Sequence, residues 1–260
     1  MSKTALITGA TSGIGYELSK VFAKNRYNLV IVSRNSEKLD AVAGELRQLH
    51  GIQVKVISKD LCKFTEPQEL YDEISADNIV IDVLVNNAGA GIHGRVVDLS
   101  AAKHMDLIQL NIASLTILCR LFGADMVKKG GGSILNVAST AAFQAGPFMS
   151  TYYASKAYVL MFSEGLRTEL KRTGVIVTTL CPGPTRTDFF ERAGMKGSRL
   201  DKIPFKMTPT EVAEIGFSGL RKGKPIVIPG LINKMLAFSA RLFPRSVITA
   251  ITAYLNHEEI

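Results

Sequence analysis

Residues 4–15 read Thr4-Ala5-Leu6-Ile7-Thr8-Gly9-Ala10-Thr11-Ser12-Gly13-Ile14-Gly15. This stretch decides the fold. Residues 4–8 are strand-forming and apolar at their centre, the glycines then close a turn, and Leu18, Val21 and Phe22 recur at helical spacing over 16–24. Gly9 permits the tight turn. Gly13 and Gly15 remove Cβ atoms where backbone must approach a ligand and where helix packs on strand. The N–H groups and positive dipole end of the helix suit an anion, so Gly9, Thr11, Ser12, Gly13, Ile14 and Gly15 read as a pyrophosphate cradle. The spacing is Gly-x-x-x-Gly-x-Gly instead of the commoner Gly-x-Gly-x-x-Gly. The strand–turn–helix context, more than the glycines, carries the reading.

The rhythm continues outward. Strands are expected at 29–33, 53–58, 83–85, 133–137, 175–180 and 225–228, and helices at 37–50, 67–76, 101–128 and 152–172. The strands are apolar throughout, as when both sheet faces are covered. Repeated β–α units predict an α/β fold: a Rossmann-type doubly wound parallel sheet in a three-layer α/β/α sandwich, one domain over residues 1–260. Residues 188–207, with Phe189-Phe190, Gly194 and Gly197, break the period and are expected to form a lid beside the sheet's carboxyl edge. Thr208-Pro209-Thr210-Glu211 restarts a helix with a cap, a proline at its first position and a capping-box glutamate.

Of 260 residues, 47% are apolar and 21% charged, ordinary globular usage that excludes disordered, collagen-like and disulfide-scaffold classes. The net charge is +8 and is unevenly spread: residues 1–185 carry +3, residues 186–245 carry +7, and Glu258 and Glu259 end the chain. The basic segment leaves two readings open, a solvated surface or contact with an anionic substrate or carrier. Its basic residues are interrupted by apolar ones, so no nucleic-acid partner is expected. Cys62, Cys119 and Cys181 are scattered and odd in number, and His50, His93, His104 and His257 lack ligand spacing, so neither a disulfide nor a metal site is expected and the compartment is read as cytoplasmic. A strand from Thr4 leaves no signal peptide, and no run of about 18 uninterrupted apolar residues predicts a spanning helix.

At the end of the second strand, dinucleotide sites of this architecture usually carry an acid for the adenosine ribose. Here the residues are Ser33-Arg34, with no acid before Glu37. A carboxylate repels a 2′-phosphate, whereas Arg34 binds one through charge-assisted bonds, so NADP(H) is favoured over NAD(H). Asp60-Leu61, after the third strand, either meets the adenine or caps a helix.

Four further features line up: Asn86-Asn87-Ala88-Gly89 after the fourth strand, Asn111 in the long helix, Asn136-Val137-Ala138-Ser139 at the end of the fifth strand, and Tyr152-Tyr153-Ala154-Ser155-Lys156. With the glycine turn, they resemble the short-chain dehydrogenase/reductase family in its single-domain branch, over residues 1–187. The chemistry explains the residue types. Reducing a carbonyl needs a proton donor, and a tyrosine near its reference pKa of about 10 is a poor one unless a nearby cation favours the phenolate. Tyr152 and Lys156 stand one turn apart on one helix face, whereas Tyr153 points about 100° away. Ser139 is placed to polarise the same carbonyl oxygen. The resemblance implies that Lys156 also holds the nicotinamide ribose and that Asn111 holds a proton-relaying water. It implies that Asn87, Ala88, Gly89, Pro182, Gly183 and Thr187 border the cofactor.

On the substrate side, Gln144, Phe148 and Phe189 are the candidates, joined by Met149, Phe190, Met195, Phe205 and Met207, each open to a pocket or a core role. His93 either reaches the site or is incidental. The apolar tail from Met235 through Pro244 to Leu255, with Arg241 and Arg245 at its edge, suggests a membrane-surface helix, but Pro244 breaks it and the protein has no tryptophan. A pocket wall or subunit contact is therefore favoured. The resemblance implies a homodimer or homotetramer through the helices at 101–128 and 152–172. The expected activity is NADP-dependent interconversion of an apolar ketone, aldehyde or ketoester and its alcohol. The alternatives are reduction of a 3-oxoacyl thioester on an acyl carrier or coenzyme A, or a non-catalytic NADP-binding sensor.

Overall fold

The computed structural model describes residues 2–257. Its centre is a parallel seven-stranded sheet: β1 (Thr4–Thr8), β2 (Asn28–Ser33), β3 (Val54–Ser58), β4 (Val83–Asn86), β5 (Gly132–Val137), β6 (Val175–Leu180) and β7 (Ile226–Val227), in the order β3-β2-β1-β4-β5-β6-β7. The expected doubly wound fold is thus observed. Strand order reverses between β1 and β4, the point where such sheets open a crevice at their carboxyl ends.

Each strand supplies both layers. Ala5 and Ile7 of β1 face one way with Leu29 and Ile31 of β2, against α1 (Gly13–Lys24), α2 (Ser36–His50) and, later in the chain, the helix Pro209–Arg221. Leu6, Val30, Val32 and Leu84 face the other, against α3 (Glu66–Ala76), the helical run 101–129 and the helix Ser150–Glu169. On the first side Phe22 is fully buried and meets Phe217 edge-on with ring centroids 4.9 Å apart. Covering on both faces is why the strands lack polar alternation.

Three expectations change in detail. The helix at 101–128 is two helices, α4 (Ala101–Ile108) and α5 (Leu115–Lys129), joined by a π-helical turn at Gln109–Ser114. The widened turn contains Asn111 and sits beside the cleft, where π-bulges are common. The run Ala101–Lys129 is also long and apolar enough by composition to cross a membrane, although no uninterrupted apolar stretch marks it. Half of its most apolar window is buried, with Leu115, Leu118, Phe122 and Met126 packed on the sheet, so it is a core helix of the fold. The last strand shrinks to two residues, because only Ile226 and Val227 pair with β6.

Beyond α6 (Ser150–Glu169) come α7 (Phe189–Arg192), α8 (Pro209–Arg221), α9 (Leu231–Ser239) and α10 (Arg245–Asn256). The capping box of α8 is present: Thr208 Oγ1 accepts from the Glu211 N–H, and the Glu211 carboxylate accepts from the Thr208 N–H. Residues 188–207 hold one short helix and turns, and Met207 closes the segment by a parallel bridge to Thr185.

Candidate active site

The carboxyl ends of the strands enclose a cleft of about 850 Å³. One half is built by the glycine turn. Gly9 and Gly13 have φ of +69° and +56°, a conformation side chains disfavour. Asn87 Nδ2 donates to the carbonyls of Thr8 and Gly9 at 2.9 and 3.2 Å, and Thr8 Oγ1 accepts from the Asn87 and Ala88 N–H groups. The ends of β1 and β4 are therefore tied into one ledge. Ser12, at the cap of α1, makes no side-chain cap bond, which leaves the first-turn N–H groups for an anion. The ledge and this helix end fit a nicotinamide dinucleotide. Thr11, Ile14, Gly15, Arg34, Asp60, Leu61, Gly89, Pro182, Gly183 and Thr187 line the same cleft. Asp60 caps no helix. Its carboxylate closes a turn by accepting from the Cys62 N–H at 3.2 Å, and α3 begins only at Glu66.

The catalytic candidates converge from β5 and α6. Ser139 ends β5, with its hydroxyl accepting from the Ala141 N–H at 3.1 Å. Tyr152 and Lys156 share one face of α6 and line the cleft, with the Lys156 ammonium 5.8 Å from the Tyr152 ring centre. Lys156 Nζ donates to the Val137 carbonyl at 3.0 Å. Burial pulls this ammonium down to about 8. The expectation that Lys156 lowers the Tyr152 pKa is corrected for the protein chain by itself. Burial holds the Tyr152 hydroxyl above its ordinary value, opposed by a hydrogen bond with Ser139. Lys156 is itself buried and donates to the Val137 carbonyl.

Asn111 is buried and its side chain does not border the cleft. It clamps the loop after β4: Oδ1 accepts from the Ala90 N–H, and Nδ2 donates to the Ala90 carbonyl and to Ser155 Oγ, at 2.9, 2.9 and 3.0 Å. These bonds hold the loop after β4 beside the cleft. Phe148 is also corrected. Its backbone has φ +64° and its ring packs on His93 and His257 behind the cleft. His93 stands there too, with Nε2 2.8 Å from the Asn256 carbonyl. Gln144 and Phe189 do line the cleft; Phe189 lies 5.2 Å from the Tyr152 ring and Gln144 donates to Thr252 of α10. Tyr153 ties α6 to α10 through Asn256, at 3.3 Å.

Sequence reasoning missed Arg192, whose guanidinium joins Ser12 Oγ and Asp188 at 2.9 and 2.8 Å and so bridges α7 to the glycine turn. Its spacing to Asp188 is readable, but its partner 180 positions earlier is not. Asn233, packed against Gly183, was missed as well. Leu236, Ile248 and Leu255 of α9 and α10 form the far wall, as the pocket-wall reading of the tail expects.

The buried cation has a consequence for stability. Folded Lys156 releases its proton near pH 8 and the unfolded residue near 10.5, so the unfolded chain binds more protons between them and stability rises with pH across that window. Cys119 and Cys181, raised by burial from 9 to about 12, act oppositely once pH passes 9. Lys156→Met is therefore expected to be more stable than the parent at about pH 7. The gap should narrow by up to about 1.4 kcal/mol per pH unit between about pH 8 and pH 9. Urea unfolding of both proteins checks this, and a gap independent of pH contradicts it.

The comparisons with known proteins agree with this geometry. The family model described as short chain dehydrogenase matches residues 3–196. A very-long-chain 3-oxoacyl-CoA reductase of Anas platyrhynchos is 38% identical over 228 residues, 84% of this chain and 69% of that protein. The probable oxidoreductase EphD of Mycobacterium tuberculosis is 33% identical over 236 residues, and the chain spans only 40% of its length. Among solved structures, a short-chain dehydrogenase from Sphingobium yanoikuyae in complex with NADPH superposes with a TM-score of 0.84 at 32% identity over 95% of both chains. The bulky-bulky ketone specific alcohol dehydrogenase from Comamonas testosteroni gives 0.79 at 31% identity over 92% of both. A dinucleotide ledge at the sheet's switch point, Tyr152 and Lys156 facing it from one helix, and a family match across three quarters of the sequence place the chain among the short-chain dehydrogenases, a family of nicotinamide-dependent oxidoreductases.

Proposed function

We propose that the protein interconverts an apolar carbonyl compound (a ketone, aldehyde or ketoester) and its alcohol with NADP(H). The observation that carries the reading is the composition of one cleft: Tyr152 and Ser139 stand between the glycine ledge and a wall of Phe189, Phe190, Leu200, Leu236 and Leu255. A bound nicotinamide supplies or accepts the hydride. Tyr152, which burial keeps protonated at neutral pH, gives its proton to the substrate oxygen in reduction. The Ser139 hydroxyl holds that oxygen, and Lys156 places a cation beneath the pair. The apolar wall excludes water and orients the substrate. Arg34, exposed at the mouth beside Ser33, supports the 2′-phosphate preference. The three thiols are free, which supports a cytoplasmic setting, and the exposed Val127, Tyr158 and Met161 on α5 and α6 support a subunit contact there.

A second reading is favoured by the +7 charge of residues 186–245, which overlap the cleft's rim: a 3-oxoacyl thioester on an anionic carrier. The non-catalytic sensor reading is disfavoured by the side-by-side Ser139, Tyr152 and Lys156, because a sensor needs no proton donor.

The test is a panel of aliphatic ketones, ketoesters, steroids, sugars and acyl thioesters followed by NADPH and NADH absorbance. NADPH should exceed NADH in kcat/KM. Arg34→Ala should cut the NADPH value by about 10–100-fold while leaving NADH near parental, as expected on losing a charged hydrogen-bond partner. A parental ratio at or below one overturns the cofactor preference. Turnover only of thioesters, with KM rising with salt, selects the second reading.

A further inference from the structure

We propose that the outer face of α9 and α10 docks the protein on an anionic lipid surface, independently of the redox reading above. The two helices form a thin wall with two apolar faces. Leu236, Ala237, Ile248 and Leu255 look into the cleft. On the other side Leu231, Met235 and Phe238 recur at i, i+4 and i+7 of α9, with Leu242 in the turn that follows, and Val247 and Tyr254 stand at i and i+7 of α10, while Ile251, half exposed, sits at the edge where α10 also borders the cleft. Leu231 is 73% exposed, Leu242 66% and Tyr254 61%, with Phe243 exposed between the helices. Single exposed apolar side chains are ordinary, but a continuous helical face of them marks an interaction surface.

Charge identifies the occupant. From residue 215 to residue 257 there is no Asp or Glu, while Arg221, Lys222, Lys224, Lys234, Arg241 and Arg245 fall in that span. Lys234, Arg241 and Arg245 are exposed on or between the two helices. A second copy docked by two-fold symmetry presents the same patch to itself, cation toward cation, with no Asp or Glu among the described residues 215–257 to answer it. A bilayer with anionic headgroups accepts the apolar side chains at the acyl boundary and pairs the cations at the phosphate level. The wall is short, and Pro244 breaks it into two helices, so it lies on the surface and does not span.

The absence of tryptophan supplies a clean probe. Phe243→Trp places the protein's single indole on the proposed face, outside the cleft lining. With phosphatidylglycerol vesicles its emission should shift to the blue and be quenched by brominated acyl chains. Phosphatidylcholine vesicles at the same concentration should leave it unchanged. Phe64→Trp, exposed beside α3, is the control and should stay unquenched. In the Phe243→Trp background, Arg241→Gln with Arg245→Gln should weaken vesicle binding about thirtyfold. Three results overturn the proposal: no quenching in either vesicle, equal quenching in both, or a blue shift that grows with protein concentration without lipid, which assigns the face to a second copy.

Discussion

Tyr152→Phe is expected to lower kcat by about 10²–10⁴-fold, the usual contribution of a positioned general acid. The substitution removes only the hydroxyl. The ring keeps its packing 5.2 Å from Phe189 and 6.0 Å from Tyr153, so the cleft should hold its shape and dinucleotide affinity should remain near parental. Burial holds the pKa of this hydroxyl above its ordinary value, so it stays protonated and available as the donor. Single-turnover absorbance with the best carbonyl of the panel, alongside titration of dinucleotide fluorescence, separates chemistry from binding. Activity within about tenfold of the parent, a barrier change near 1.4 kcal/mol, contradicts Tyr152 as the donor.

The second large effect belongs to the ledge. In Gly15→Ala the new methyl sits 2.2 Å from the Gly9 carbonyl oxygen and 2.3 Å from Asn87 Nδ2. It thus enters the space of the bond by which Asn87 holds the turn. Neither group is the free end of a flexible chain, so backbone must shift. Overpacking of this kind costs about 1–3 kcal/mol of stability. If the same displacement is carried into the dinucleotide complex, affinity weakens by about tenfold or more. Gly44→Ala is the counterpart: nothing lies within 4 Å of its new Cβ in the exposed face of α2, so a stabilisation of about 0.5–1 kcal/mol is expected. Thermal unfolding and dinucleotide titration of both variants test the pair. A Gly15→Ala protein with parental melting and binding refutes the close-approach reading.

Much of the framework is legible in the sequence. The apolar strands, the strand–turn–helix at 4–24 and the Tyr-x-x-x-Lys register rest on periodicities of two and 3.6 residues, which local geometry dictates. Tyr152, not Tyr153, was picked by helical angle alone, and the structure gives Tyr153 a different partner in Asn256. Asn87, which the resemblance places beside the cofactor, ties the ends of β1 and β4 together through its bonds to Thr8 and Gly9.

Other assignments depended on where chain segments meet. Phe148 and Phe189 look alike in sequence, yet a positive φ turns Phe148 toward His257 while Phe189 covers Tyr152. Asn111 is polar on an apolar helix, and only the π-helical turn beside Ala90 shows that its amide clamps a loop. The ionisation of Tyr152 and Lys156 follows burial, a property of everything packed around them, so spacing alone predicted the wrong direction for the tyrosine.

The sequence by itself thus determined the sheet architecture, the glycine turn and the placing of Tyr152 and Lys156 on one helix face, because each is set by neighbours within a few residues. Only the tertiary structure decided which aromatic side chains line the cleft, that Arg192 reaches Ser12, and that α9 and α10 wall the site while exposing a second apolar face. Those depend on contacts between residues up to 180 positions apart, and no local periodicity encodes them.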